Sequence, residues 1–247
     1  MVNIFVEFVC DNHNSLCYFI IYNFTAKLYM IKNFTIYGER CSGTNYLEQL
    51  MLMNFDIKLT WKYGHKHFFG FSNLSNSDDT LFIGIVRNPY KWINSLYREK
   101  HHLPSSLFDS FDSFLNNEFW SHNDAGHELM GDRHIYTKKR YKNIFEMRYT
   151  KMKFLSEDMP KKVKNYIFIR YEDLLTNFDV IMNKIKNKGL KVKENIQFPL
   201  NTDKYKNTNM KFKSDSKTDH IPKDTIFNNK NFNLMYEKKF GYKKIDM

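Results

Sequence analysis

A glycine-bracketed turn, Gly38-Glu39-Arg40-Cys41-Ser42-Gly43-Thr44, joins an apolar run to a helical repeat and leaves few folds open to the chain. Residues 34–37 suit a buried strand, and Leu47, Leu50 and Met51 recur at helical spacing. The turn therefore delivers backbone N–H groups to a helix N-terminus. Gly38 and Gly43 let the backbone turn sharply and approach an anion, and the Thr44 hydroxyl can cap the helix or donate to phosphate. The spacing Gly-x-x-x-x-Gly-Thr is that of a P-loop without its lysine. A nucleoside triphosphatase uses that lysine on the β- and γ-phosphates and the next hydroxyl on magnesium, so this loop suits a shorter phosphate group held without metal.

Strand and helix patterns then alternate. Residues 57–61 read as a short second strand running into Lys62-Tyr63-Gly64-His65-Lys66-His67, a cluster of cations and imidazoles. Residues 81–86 are continuously apolar, as expected of a central parallel strand. Pro89 opens a helix where its missing N–H costs little, with Trp92, Ile93 and Leu96 as the buried stripe. Residues 99–137 read as an excursion over the active-site face, with one helix over 107–120. Tyr141, Ile144, Phe145, Tyr149, Met152 and Leu155 share one side of a helix whose other side is rich in Lys and Arg. A further strand over 166–169 precedes an amphipathic helix over 172–188 that Gly189 ends; a polar, lysine-rich loop over 201–225 precedes a last helix over 231–239. Trp61 and Trp92 are expected to pack, and Glu172 and Asp173 to satisfy N–H groups at their helix start. This order predicts an α/β, P-loop-like three-layer fold with a central, mostly parallel sheet and helices on both faces. Residues 1–29 show neither period and read as an N-terminal extension ahead of a single domain over residues 30–247.

The formal net charge of +11 means the surface attracts anions. The lysines are scattered through a Lys/Asn/Ile-rich chain, which fits biased composition better than a face selected for specific nucleic acid. Cys10, Cys17 and Cys41 form no even disulfide framework and no metal-ligand spacing, so a reducing, cytoplasmic compartment is expected. His65, His67, His101 and His102 lack paired Cys or carboxylate ligands at regular spacing, so no metal site is expected. The apolar stretches 4–10 and 16–22 are short and interrupted, which predicts no stable membrane insertion.

A second anion-binding signal lies one strand away. Arg87 ends the 81–86 run and Ser95 follows two turns into the next helix, so guanidinium and hydroxyl could reach one phosphate. Strand ends are where a doubly wound sheet places its ligands. The two signals together point to a nucleotide with two separate phosphate groups.

The succession Gly38 to Leu47, Arg87 with Ser95, and Arg170-Tyr171-Glu172-Asp173-Leu174 resembles the landmarks of the sulfotransferases that use 3′-phosphoadenosine 5′-phosphosulfate (PAPS). The resemblance covers residues 31–188 and fades in the tail. It implies transfer of a sulfuryl group from PAPS to a hydroxyl or amine without metal. It further implies that Ser42, Gly43, Thr44 and Asn45 hold the 5′-phosphosulfate, Arg87 and Ser95 the 3′-phosphate, and Tyr46 and Tyr171 the adenine. Cys41 stands where many members carry a lysine, and Arg40 is the neighbouring cation that takes its role. The tail lacks the family's Arg-Lys-Gly closing loop, leaving Lys211 and Lys213 as candidate contributors. An acceptor alcohol needs a base; His65 and His67 both qualify by position, His65 slightly preferred, with Lys62 and Lys66 as neutralising cations. Small-molecule, glycan and peptide acceptors all stay open, as does the oligomeric state. Two rivals remain at this point: a P-loop small-molecule kinase, and a non-enzymatic basic module that binds nucleic acid.

Overall fold

The structure is a computed structural model that describes residues 3–10, 17–24, 30–100, 102–193 and 219–243. The chain divides into two compact units, Met1–Met30 and Ile31–Met247. In the first, β1 (Asn3–Cys10) pairs antiparallel with β2 (Cys17–Phe24), Cys10 opposite Cys17. An antiparallel strand pair thus stands where no alternation is legible. Its runs of β-branched and aromatic residues, such as Ile4-Phe5-Val6 and Phe19-Ile20-Ile21, favour extended backbone without a period of two.

The second unit is α/β. Its elements in chain order are β3 (Asn33–Gly38), α1 (Thr44–Asn54), β4 (Lys58–Leu59), β5 (Thr80–Val86), α2 (Pro89–Glu99), α3 (Phe111–Asn116), α4 (Ile144–Lys153), α5 (Met159–Lys162), β6 (Tyr166–Arg170), α6 (Tyr171–Thr176), α7 (Phe178–Lys186), α8 (Lys223–Phe227) and α9 (Leu234–Lys238). The four strands form an all-parallel sheet in the order β4-β3-β5-β6. Helices cover both faces, giving the three-layer arrangement. The chain first adds β4 on one side of β3 and then returns to place β5 on the other. The strand order therefore reverses between β3 and β5, where open α/β sheets form their ligand crevice.

Side-chain alternation sorts the layers. Leu81, Ile83 and Ile85 of β5 pack with Leu47, Leu50 and Met51 of α1 and with Ile181, Met182 and Ile185 of α7. Phe82 and Val86 face the other way, with Tyr37 of β3, onto Met152, Leu155 and Met159. Every residue of β5 is buried, as its unbroken apolar run requires. Each fully buried Leu or Ile side chain contributes ~1.5–3 kcal/mol, so the strand ends that carry the site rest on a rigid base.

Several boundaries differ from expectation. The second strand is only two residues long, and Trp61 beyond it stacks on His65 while staying 44% exposed. Instead of one helix over 107–120 there is a 3₁₀ turn at Ser105–Phe108 and the short α3, which Ser110 starts by accepting from the Ser113 N–H at 3.0 Å. Aromatics of this excursion are core: Phe114 and Phe119 are buried with Leu107, Trp92 and Phe145. The 172–188 helix is two, broken at Asn177, whose φ of −131° and ψ of 38° leave the helical region. Residues 201–218 of the polar loop, with Lys211 and Lys213, lie outside the described residues. The rest of that loop runs into the unforeseen α8, and the last helix is shorter than expected. Among the described residues no helix is long and apolar enough to cross a membrane.

Candidate functional site

The loop from Gly38 to Gly43 is held by close contacts on both glycines. A Cβ on Gly38 would fall 2.6 Å from Ile85 Cγ2 and 2.8 Å from Ser42 Oγ. A Cβ on Gly43 would fall 2.3 Å from Tyr171 Cδ2, and Gly43 also takes a left-handed φ of 91°. Cys41 adopts φ 63° as well, although it carries a side chain. Gly43, not Thr44, is the N-cap of α1; Thr44 is the first helical residue, and no side chain caps the helix. An uncapped first turn presents N–H groups to an anion. The Ser42 hydroxyl is committed within the turn, donating to Glu39 O at 2.6 Å.

Arg87 and Tyr171 meet at this loop. Arg87, at the end of β5, donates through Nη1 to Cys41 O at 2.9 Å, and its guanidinium lies 4.9 Å from the centroid of the Tyr171 ring. Tyr171 is thereby fixed between Gly43 and Arg87. Tyr46 is buried in the core at 1% exposure, edge-on to Tyr171 at 6.3 Å between centroids. Ser95 is buried on α2 and accepts from Arg98 Nη2 at 3.3 Å. Glu172 does not cap its own helix. Its carboxylate accepts from the Asn88 N–H at 2.8 Å and from the Tyr242 hydroxyl at 3.0 Å, tying the start of α2 to the C-terminal segment. Asp173 instead pairs with Arg170 at 2.5 Å.

Under the cradle lies a charged network that sequence reasoning missed. Arg40 Nη1 donates to Asp132 Oδ2 at 2.6 Å, Ser121 Oγ donates to the same oxygen at 2.5 Å, and Lys151 Nζ donates to Asp132 Oδ1 at 2.5 Å. Lys151 also donates to His67 O at 2.9 Å and stands 2.7 Å from Glu39 Oε1, though without the alignment of a hydrogen bond. Burial alone would raise the Asp132 pKa, but Lys151 and Arg40 outweigh it and hold the carboxyl below its ordinary range. Burial raises Glu39, with Lys151 opposing. Trp92 Nε1 donates to Arg40 O at 2.9 Å, fixing the loop from α2. A signal for Lys151 existed. With Arg148 it follows Ile144 at the helical spacing that puts it toward the core, and both are buried, so not every cation of this helix lies on its Lys- and Arg-rich other side. Arg148 is held by Glu237 at 2.6 and 2.8 Å and donates to Arg87 O at 3.0 Å.

The two histidines differ in tautomer. His67 Nδ1 lies 2.7 Å from Gly38 O; a carbonyl only accepts, so Nδ1 carries the proton and Nε2 the lone pair. His65 Nδ1 accepts from the His67 N–H at 3.4 Å, which puts the His65 proton on Nε2. Burial first, then the Arg40 charge, pushes the His67 pKa well below its ordinary value, so the ring is neutral at pH 7. His65, stacked on Trp61 and tilted against Phe68, is lowered by partial desolvation, then by Lys66. Lys66 Nζ donates to Asn45 Oδ1 and lies 3.4 Å from Glu48, so this lysine stands at the cradle, whereas Lys62 lies over the Tyr63 ring. Among the described residues no group of three or more His, Cys, Asp or Glu side chains is placed to hold a metal ion.

Fold and loop together define an α/β chain with an uncapped, glycine-bracketed helix start at the point where strand order reverses. No protein-family model matches the chain, and the search of curated proteins gives no match.

Proposed function

We propose that the chain is a PAPS-dependent sulfotransferase. The observation that carries this reading is the convergence of cradle, Arg87 and Tyr171: two strand ends locked side by side by the 2.9 Å bond from Arg87 to Cys41 O, with an aromatic ring closing on Gly43. The residues present fit the nucleotide, because the cradle has no room for a Cβ and the helix start has no side-chain cap. PAPS supplies the sulfuryl group, which passes to an acceptor oxygen or nitrogen as its bond to the 5′-phosphate breaks.

The chain's own residues divide the work. The first turn of α1, with Ser42 to Asn45, holds the 5′ group; Arg87 and Ser95 hold the 3′-phosphate; Tyr171 positions the base. Lys66, at Asn45, supplies positive charge on the side of the cradle where negative charge builds. Arg40 contributes from below, its charge shared with Asp132. His67 takes the acceptor's proton on Nε2, the nitrogen that carries the lone pair, and this tautomer argument favours it over His65. A cytoplasmic, reducing setting suits a cysteine, Cys41, within the cradle.

Incubating the full chain with PAPS and a panel of phenols, sugars and tyrosine peptides, and following release of adenosine 3′,5′-bisphosphate by mass spectrometry, tests the reading. Acceptor-dependent release abolished by Arg87→Ala supports it. A folded protein that neither releases nor binds the bisphosphate sinks it.

A further inference from the structure

Arg98 lies three residues after Ser95, on the same face of α2. Its Nη2 donates to Ser95 Oγ at 3.3 Å, while its Nε is buried with no hydrogen-bond partner. Three enclosed cations of the unit are matched by carboxylates: Arg40 and Lys151 by Asp132, and Arg148 by Glu237. Among the described residues no carboxylate pairs with Arg98. A position in the last turn of α2 does give a cation some benefit from the helix dipole, but that benefit needs no desolvated Nε. A guanidinium with a buried donor left over is a site prepared for an anion.

We propose that Arg98 is a second guanidinium of the 3′-phosphate site, closing from α2 beside Ser95 on the phosphate that Arg87 approaches from the end of β5. Arg98 then determines specificity, selecting nucleotides that carry a 3′-phosphate, and it supplies from α2 the charge that the missing Arg-Lys-Gly loop would bring from the tail. This inference rests on the sulfotransferase reading.

Isothermal titration of the full chain with adenosine 3′,5′-bisphosphate and, separately, adenosine 5′-phosphate tests it. Arg98→Ala is expected to weaken bisphosphate binding about tenfold to a hundredfold, the range for losing charge-assisted hydrogen bonds, and to leave 5′-phosphate binding unchanged. Arg98→Lys, which keeps the charge and loses the planar fork, is expected to fall between; it carries the test if the alanine variant does not fold. Bisphosphate affinity unchanged in the variants, or equal losses for both ligands, overturns the role of Arg98 while the wild type still binds. A wild type that binds neither ligand overturns the nucleotide reading, and this inference with it.

Discussion

Replacing Asp132 by asparagine removes one charge from beneath the cradle and keeps the side chain's shape. Both carboxylate oxygens accept from donors at 2.5–2.6 Å, and the side chains of Asp132 and Lys151 are 1% and 2% exposed. In Asp132→Asn, Arg40 loses its carboxylate and Lys151 is left with Glu39 alone. Breaking a buried pair from one side costs ~3–5 kcal/mol. In a domain of this size each kcal/mol is worth about 2–4 °C, so Tm falls by roughly 6–20 °C in calorimetry at pH 7. Glu39→Gln is the contrast: burial already disfavours that carboxylate, so a neutral amide there changes stability by ~1 kcal/mol or less. The linkage sign follows from the lowered Asp132 pKa. Its stabilisation is present above the unfolded value of about 3.9 and is lost as pH falls through the folded one. A loss below ~1 kcal/mol in Asp132→Asn would refute the claim that this carboxylate holds the loop.

Two further perturbations probe the site itself. Gly43→Ala introduces a Cβ 2.3 Å from Tyr171 and strains a left-handed backbone; a loss of at least ~1–2 kcal/mol is expected, together with lost bisphosphate affinity, and a variant with wild-type Tm and affinity would contradict the packing described. His67 is held neutral by burial and Arg40, so below its unfolded pKa of about 6.5 the unfolded chain binds more protons and stability drops as pH falls. In His67→Gln the Tm–pH profile should flatten below pH 6.5; an unchanged slope would show that His67 titrates normally.

Much of the frame was legible because local chemistry and tertiary packing agree there. The apolar run of β5, the Pro89 start of α2 and the glycine turn after β3 each follow from short-range rules, and the sheet completes them. What stayed hidden depends on long-range pairing. Asp132 sits in an aperiodic stretch and meets Arg40 across 92 positions of sequence. Lys151 did not stand out because lysines in a lysine-rich chain carry little information singly, although its helical spacing from Ile144 on α4 points inward. Asn177 breaks a helix whose apolar repeat runs on through it, and Trp61 packs on the His65 ring of a loop beyond the two-residue β4, not in the core. The preference between His65 and His67 turns on one carbonyl contact, Gly38 O, which no spacing rule supplies.

The central claim is that the cradle, with Arg87, is built for a nucleotide bearing a 3′-phosphate and a 5′ phosphate group. The most direct test is the thermal shift of the full chain with adenosine 3′,5′-bisphosphate in the absence of metal, in wild type and Arg87→Ala. At about one hundred times Kd the ligand should stabilise the fold by ~2.7 kcal/mol, roughly 5–11 °C at this size, with no shift in Arg87→Ala. No shift in a well-folded wild type, or a shift seen only with ATP and magnesium, would contradict the account.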